Sequence, residues 1–223
     1  MQSIWPLFSM VFLLGLRHGF DLDHLATIDA MAQNTRAERP RIARFCGFFF
    51  SLGHGMVVIV VCFAVAYGFA NAEFPPWLEH LGQGISVAFL LFFSLLTLYN
   101  LKGHSHGSAR HQLFQRLLPQ RLSPFWMMGI GALFALSFDT FSQVAVFSLS
   151  ANQVSGEQLA ILLGVIFMGG MMCSDGLNGW VVARLLRRAD GIAPWASKVC
   201  ALLVAGFSAW IAILGIIELT GNS

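Results

Sequence analysis

Residues Arg17–Asp29 read R-H-G-F-D-L-D-H-L-A-T-I-D, inside a stretch, Trp5–Asn34, that is otherwise apolar and long enough to cross a bilayer. Two histidines, three carboxylates and an arginine crowd into one hydrophobic segment. Each ionisable group placed in hydrocarbon costs about 2.5–3.5 kcal/mol on insertion scales, so such groups turn inward and pair with each other or with a charged guest. A segment carrying this many points to a site for something charged.

Working outward, five further stretches are long and apolar enough to span: Arg44–Tyr67, Leu81–Leu101, Phe125–Leu149, Gln158–Leu186 and Lys198–Leu219. The first and fifth spans exceed a straight crossing and are expected to tilt, protrude or break. Basic residues orient the bundle. Arg36, Arg39, Arg41 and Arg44 separate spans one and two. Lys102, Arg110, Arg116 and Arg121 separate three and four. Arg184, Arg187, Arg188 and Lys198 separate five and six. The connections 68–80 and 150–157 carry only Glu73, Glu79 and Glu157. The expectation is an all-α membrane protein of six transmembrane helices with both termini outside and three basic loops in the cytoplasm.

Composition agrees: 57% of residues are hydrophobic and 11% charged, with a mean hydropathy of +0.70, where soluble domains carry about 25% charged residues. A net charge of +2 suggests no nucleic-acid partner. The N-terminus lacks the basic region and small-residue cleavage site of a removable leader, so the first span is expected to stay and insert. Cys46, Cys62, Cys173 and Cys200 form no C-x-x-C pair and read as small buried hydrophobes. Cys173, two residues before Asp175, is the one near polar company.

The two halves resemble each other. Phe20-Asp21 in the first span has a counterpart in Phe138-Asp139 of the fourth, and His54, within S-L-G-H-G, lines up with Asp175, within C-S-D-G. Three helices per unit is an odd number, so the second copy would run inverted, with a site between the halves. The chain therefore reads as one transmembrane domain, 1–223: repeat one over 1–101, a His-containing cytoplasmic loop over 102–123, and repeat two over 124–223.

The residues with chemistry inside the spans are His18, Asp21, Asp23, His24, His54, Asp139 and Asp175. Imidazole mixed with carboxylate suits a divalent first-row transition metal better than Na⁺ or Ca²⁺. At about 100° per residue, His18, Asp21 and His24 share one face, whereas Asp23 points the other way. Either Asp23 has its own partner or the helix is irregular near Gly19. Arg17, which has no acceptor, reads as a charge partner. Asp29 reads as solvated or paired with Arg36, and Gln143 and Asn178 as interhelical hydrogen-bonders. His104 and His106, with His111, could catch metal in the cytoplasmic loop.

These residues also carry a family likeness. The chain resembles the nickel/cobalt transporter (NiCoT) family of bacterial permeases. Its R-H-A-F-D-A-D-H stands as Arg17–His24, R-H-G-F-D-L-D-H. Its L-G-H-S followed by valines stands as Leu52–Val58, L-G-H-G-M-V-V. Its L-G-F-D-T-A-T-E appears as Leu136–Gln143, L-S-F-D-T-F-S-Q, and its G-M-x-x-x-D-T-x-D as Gly170–Asn178, G-M-M-C-S-D-G-L-N. Gln143 and Asn178 stand where the family motif has carboxylates, and many members have eight spans. The resemblance implies selective transport of Ni²⁺, often with Co²⁺, and places His18, Asp23 and His24 at the metal.

The combined expectation is uptake of Ni²⁺, with Co²⁺ as a second candidate, across the bacterial cytoplasmic (inner) membrane by a multi-pass permease. The metal would be transported substrate, with no prosthetic group and no enzymatic activity, and the sequence sets no oligomeric state. Efflux of the same metals is the nearest alternative. A haem protein with His18 and His54 as axial ligands, or a non-transporting metal sensor, are others.

Overall fold

A computed structural model describes residues 4–36, 38–67, 76–101, 122–136, 140, 157–192 and 194–221. Among them the secondary structure is helical throughout: α1 (Trp5–His18), α2 (Leu22–Thr35), the single turn α3 (Pro40–Ala43), α4 (Cys46–Ala66), α5 (Pro76–Leu101), α6 (Pro124–Phe134), α7 (Glu157–Ile192) and α8 (Pro194–Gly221). Two described helices, α4 and the Gln158–Arg188 part of α7, are long and apolar enough to cross a membrane.

The expected first span is two helices. α1 starts with proline in its first turn, where a missing N–H costs nothing. It stops at Gly19, and the N–H groups of Phe20 and Asp21 bond back to the carbonyls of Arg17 and His18 in a tight i−3 turn. Asp21 adopts an extended backbone, with φ −63° and ψ 144°, and α2 restarts from its carbonyl, which accepts the N–H of Leu25. Gly19 is required here by space. A Cβ on it would run into the Ser174 hydroxyl and stand 3.0 Å from Asp175 Oδ1.

α7 is the hub and packs against α1, α2, α4 and α8. α1 runs parallel to it: a Cβ on Gly15 would strike the Phe167 carbonyl, and Gly19 meets Met171 and Ser174 one turn further along both helices. α4 runs antiparallel, since Gly47 meets Asp175, Gly55 meets Met168 and Cys62 lies beside Gly164. α6 crosses α4 where Gly53 meets the Met128 carbonyl and Gly131 the Phe50 carbonyl. Small residues let helices approach backbone to backbone, the means of association available where lipid removes the hydrophobic drive between helices. α5 and α8 pack antiparallel, with Ser94 Oγ donating to the Ala205 carbonyl at 3.0 Å.

The surface is more apolar than that of a water-soluble domain, and the mostly apolar interior holds a set of polar side chains. Large apolar side chains stand exposed on the long helices, among them Leu13, Val60, Leu95, Phe125, Leu177 and Leu203. The buried side chains include His18, His24, Ser51, His54, Thr140, Ser174 and Asp175. An outside this apolar fits hydrocarbon, and the buried polar side chains need internal partners or a guest.

Candidate metal site

The break between α1 and α2 and the straight helix α4 bring three histidines together. His18 is the last residue of α1, His24 lies in the first turn of α2, and His54 sits near the middle of α4. They are 4%, 2% and 0% exposed. Their ring centroids form a near-equilateral triangle with sides of 4.8, 5.2 and 5.0 Å. One ring nitrogen from each can be chosen so that all three lie within 4.8 Å of one another. Nitrogens bound about 2.0–2.1 Å from one ion stand roughly 3–3.4 Å apart, so small side-chain movements would close the set on a metal.

Carboxylates orient two of the three rings. Asp21 Oδ2 is 2.9 Å from His18 Nδ1, and Asp175 Oδ2 is 3.3 Å from His24 Nδ1. A proton on His24 Nδ1, donated to Asp175, would leave its Nε2 free to act as a ligand atom, the arrangement that fixes metal-binding histidines. Thr140 Oγ1 lies 3.3 Å from Nε2 of both His18 and His54. His54 Nδ1 and Asp175 Oδ1 are buried with no hydrogen-bond partner among the described residues. Buried polar atoms are ordinarily satisfied, and these two stand beside the three imidazoles. Aromatic rings wall the cluster: Phe50 and Phe134 are edge-on to His24 at 4.9 and 6.4 Å, and Phe167 is 5.5 Å from His18.

The broken helix also explains Asp23. A regular helix would have turned it away from His18 and His24. Instead its Oδ1 accepts the backbone N–H of His24 at 2.9 Å, and with Asp21 it stands at the N-terminal end of α2. That end carries roughly half a positive charge, which a cation would find repulsive and which a carboxylate offsets, while the C-terminal end of α1 favours a cation. Asp23 thus stands at the helix end, bonded to the backbone N–H of His24.

Other candidates fall elsewhere. Arg17 is exposed in the last turn of α1. Asp29 is half-buried and accepts from Asn178 Nδ2 at 3.2 Å, while Arg36 Nη1 donates to the Leu186 carbonyl, so Asn178 is the partner seen for Asp29. Cys173 is exposed on α7, whereas Cys46 and Cys62 are buried. Asp139, Gln143, His104 and His106 lie outside the described residues. Sequence reading overlooked Thr140 and Ser51. Hydroxyls are common in membrane helices as fillers of i−4 bonds, and only their neighbours in space distinguish them. Ser51 lies one turn before His54, which was the available signal.

The model of the family described as high-affinity nickel-transport protein matches residues 4–222. The chain belongs to that family. Among its relatives, the high-affinity nickel-transport protein NixA of Helicobacter pylori is 32% identical, over 97% of this chain and 75% of its own length. The nickel transporter NicT of Mycobacterium tuberculosis is 32% identical over 74% of this chain and 53% of its own. The cobalt transport protein NhlF of Rhodococcus rhodochrous is 31% identical over 78% and 58%. The family is one of transporters, not of enzymes. No solved structure matches the chain at a significant level.

Proposed function

We propose that this high-affinity nickel-transport family member takes up Ni²⁺, and Co²⁺ as a second substrate, across the bacterial inner membrane as a multi-pass permease. The observation that carries the reading is the cluster of His18, His24 and His54, three buried imidazoles with one nitrogen each within 4.8 Å. Neutral imidazole is a preferred donor for nickel and cobalt, and the relatives are named for nickel and cobalt transport. The six-span, N-out/C-out topology is part of this proposal. So is the single domain built of inverted repeats 1–101 and 124–223 around the loop 102–123. α1 ends three residues before Asp21 and α6 five residues before Asp139, a nearby though not identical place that supports the repeat.

In this mechanism His18, His24 and His54 replace the water ligands of the ion. Asp21 and Asp175 hold two of the rings, Asp23 neutralises the α2 end, and Asp139 adds charge from the second repeat. The three imidazoles are buried in the arrangement seen, and alternating access would expose them to each side in turn. A membrane potential negative inside favours entry of a divalent cation by about 4.6 kcal/mol per 100 mV, twice the single-charge figure.

The test is initial-rate uptake of radioactive nickel in cells stripped of other nickel importers, at submicromolar metal. Expression should raise accumulation, and His24→Ala should abolish the increase. Higher nickel tolerance with lower cell nickel would replace uptake by efflux. Absence of any flux in liposomes holding only this chain would defeat the transporter reading.

A further inference from the structure

Ser51 is fully buried on α4, three residues before His54 and on the same side of the helix. Its hydroxyl has three acceptors in reach: the Gly47 carbonyl at 3.0 Å, the Met171 carbonyl at 3.5 Å and Asp175 Oδ2 at 2.6 Å. A hydroxyl owns one proton. The carboxylate oxygen is both the nearest acceptor and the charged one, and an O–H···O⁻ bond of 2.5–2.7 Å is the strong, charge-assisted kind. Ser51 therefore donates to Asp175. The same Oδ2 lies 3.3 Å from His24 Nδ1, so one oxygen joins serine, aspartate and the ligand histidine. Asp175 Oδ1 has no partner among the described residues, so of the donors seen only Ser51 and His24 fix the rotation of the carboxylate.

From this geometry, and resting on the transport reading above, we infer that Ser51 is a positioning residue for the metal site. By pinning Asp175 Oδ2 it holds the carboxylate that orients His24, keeping Nε2 of His24 turned into the cluster. Ser51 touches no ion itself. It also ties the straight helix α4 to α7, and through Asp175 to α2, so that His24 and His54 are set by a shared anchor.

The experiment compares wild type, Ser51→Ala, Ser51→Thr, Asp175→Asn and the Ser51→Ala/Asp175→Asn double variant. It reads nickel uptake kinetics together with nickel binding to the purified, detergent-solubilised chain. Outer partners of metal-binding histidines are worth about 10–100-fold in affinity. Ser51→Ala should weaken nickel binding and raise KM about tenfold, with Vmax per molecule in the membrane within about twofold. Ser51→Thr, which keeps the hydroxyl, should recover most of the affinity. The double variant should be no worse than Asp175→Asn alone, because the serine acts through that carboxylate. Unchanged binding in Ser51→Ala, or effects that add in the double variant, would overturn the inference while leaving the transport reading intact. A wild type that neither binds nor moves nickel would instead sink that reading. Should Ser51→Ala fail to accumulate, Ser51→Cys, of similar shape and weaker donor strength, carries the same comparison.

Discussion

The stretch Arg17–Asp29 and the helix α4 deliver histidine to the same cluster by opposite constructions. The first breaks at Gly19–Asp21 and brings in two rings from two helix ends, each with a carboxylate on its Nδ1. The second runs unbroken for 21 residues and brings in His54, whose Nδ1 has no partner among the described residues. A broken segment gains favourable carbonyl ends and freedom of placement, but its rings need carboxylates to hold them. A straight helix places its ring mainly by packing, with Thr140 Oγ1 3.3 Å from His54 Nε2, and α4 is lined with glycines that let it lie against α6 and α7. The difference teaches that the two sides of the site are stabilised by different physics, charge on one side and close packing on the other.

The largest effects should come from the proposed ligands. His18→Ala and His24→Ala should each reduce nickel uptake at submicromolar metal by about 100-fold or more, since each removes a donor and leaves a carboxylate, Asp21 or the fully buried Asp175, without its ring. His54→Ala removes a donor with no carboxylate behind it and should cost less, about tenfold. Radioactive nickel uptake normalised to protein in the membrane ranks the three. A loss for His54→Ala as great as for His24→Ala would erase the distinction between the two sides.

The packing side is broken differently. A Cβ at Gly47 would run into the Asp175 carbonyl, and one at Gly53 into that of Met128, whereas Gly176, on α7 beside Asp175, has open space. Overpacking costs about 1–3 kcal/mol. Gly47→Ala and Gly53→Ala should lower the thermal midpoint of the purified protein by several degrees, and Gly176→Ala should leave it unmoved. Equal behaviour of the three would show that α4 is not held by close approach.

A smaller effect is expected at the break. Gly19→Ala restores the alanine of the NiCoT motif but pushes a methyl onto Ser174 Oγ and toward Asp175 Oδ1. Nickel KM should rise several-fold, and Ser174→Gly in the same chain should recover part of it. An unchanged KM in Gly19→Ala would mean that the junction yields without disturbing the carboxylate.

Much of this arrangement was legible in the sequence. The excess length of the first span and the misdirected Asp23 left a break near Gly19 as one reading among others, since the similarly long fifth span runs unbroken, and the costly groups His18, His24, His54 and Asp175 were visible because hydrocarbon makes them conspicuous. Ser51 and Thr140 were not, because a hydroxyl in a membrane helix bonds to its own i−4 carbonyl as readily as to a neighbour, and periodicity cannot tell which. The partner of Asp29 was also hidden. Arg36 is near in sequence, but Asn178 is the residue that α7 brings to it, a pairing 149 positions apart.

That pairing supplies the smallest expected effect and the sharpest limit on the site. Asp29 belongs to the same polar stretch as His24, yet it lies over a turn further along α2 and is bonded to Asn178 Nδ2 at 3.2 Å. Removing the amide in Asn178→Ala takes one donor from a half-buried carboxylate, which costs about 1 kcal/mol of stability where water can partly replace it. The histidine cluster keeps Asp21, Asp175 and Ser51, none of which touches Asn178 in the bonds seen. Nickel KM should therefore stay within about twofold of wild type while the thermal midpoint falls slightly. A KM raised tenfold in Asn178→Ala would extend the charge-held side of the site a turn further, and Asp29 would then join the residues that handle the ion.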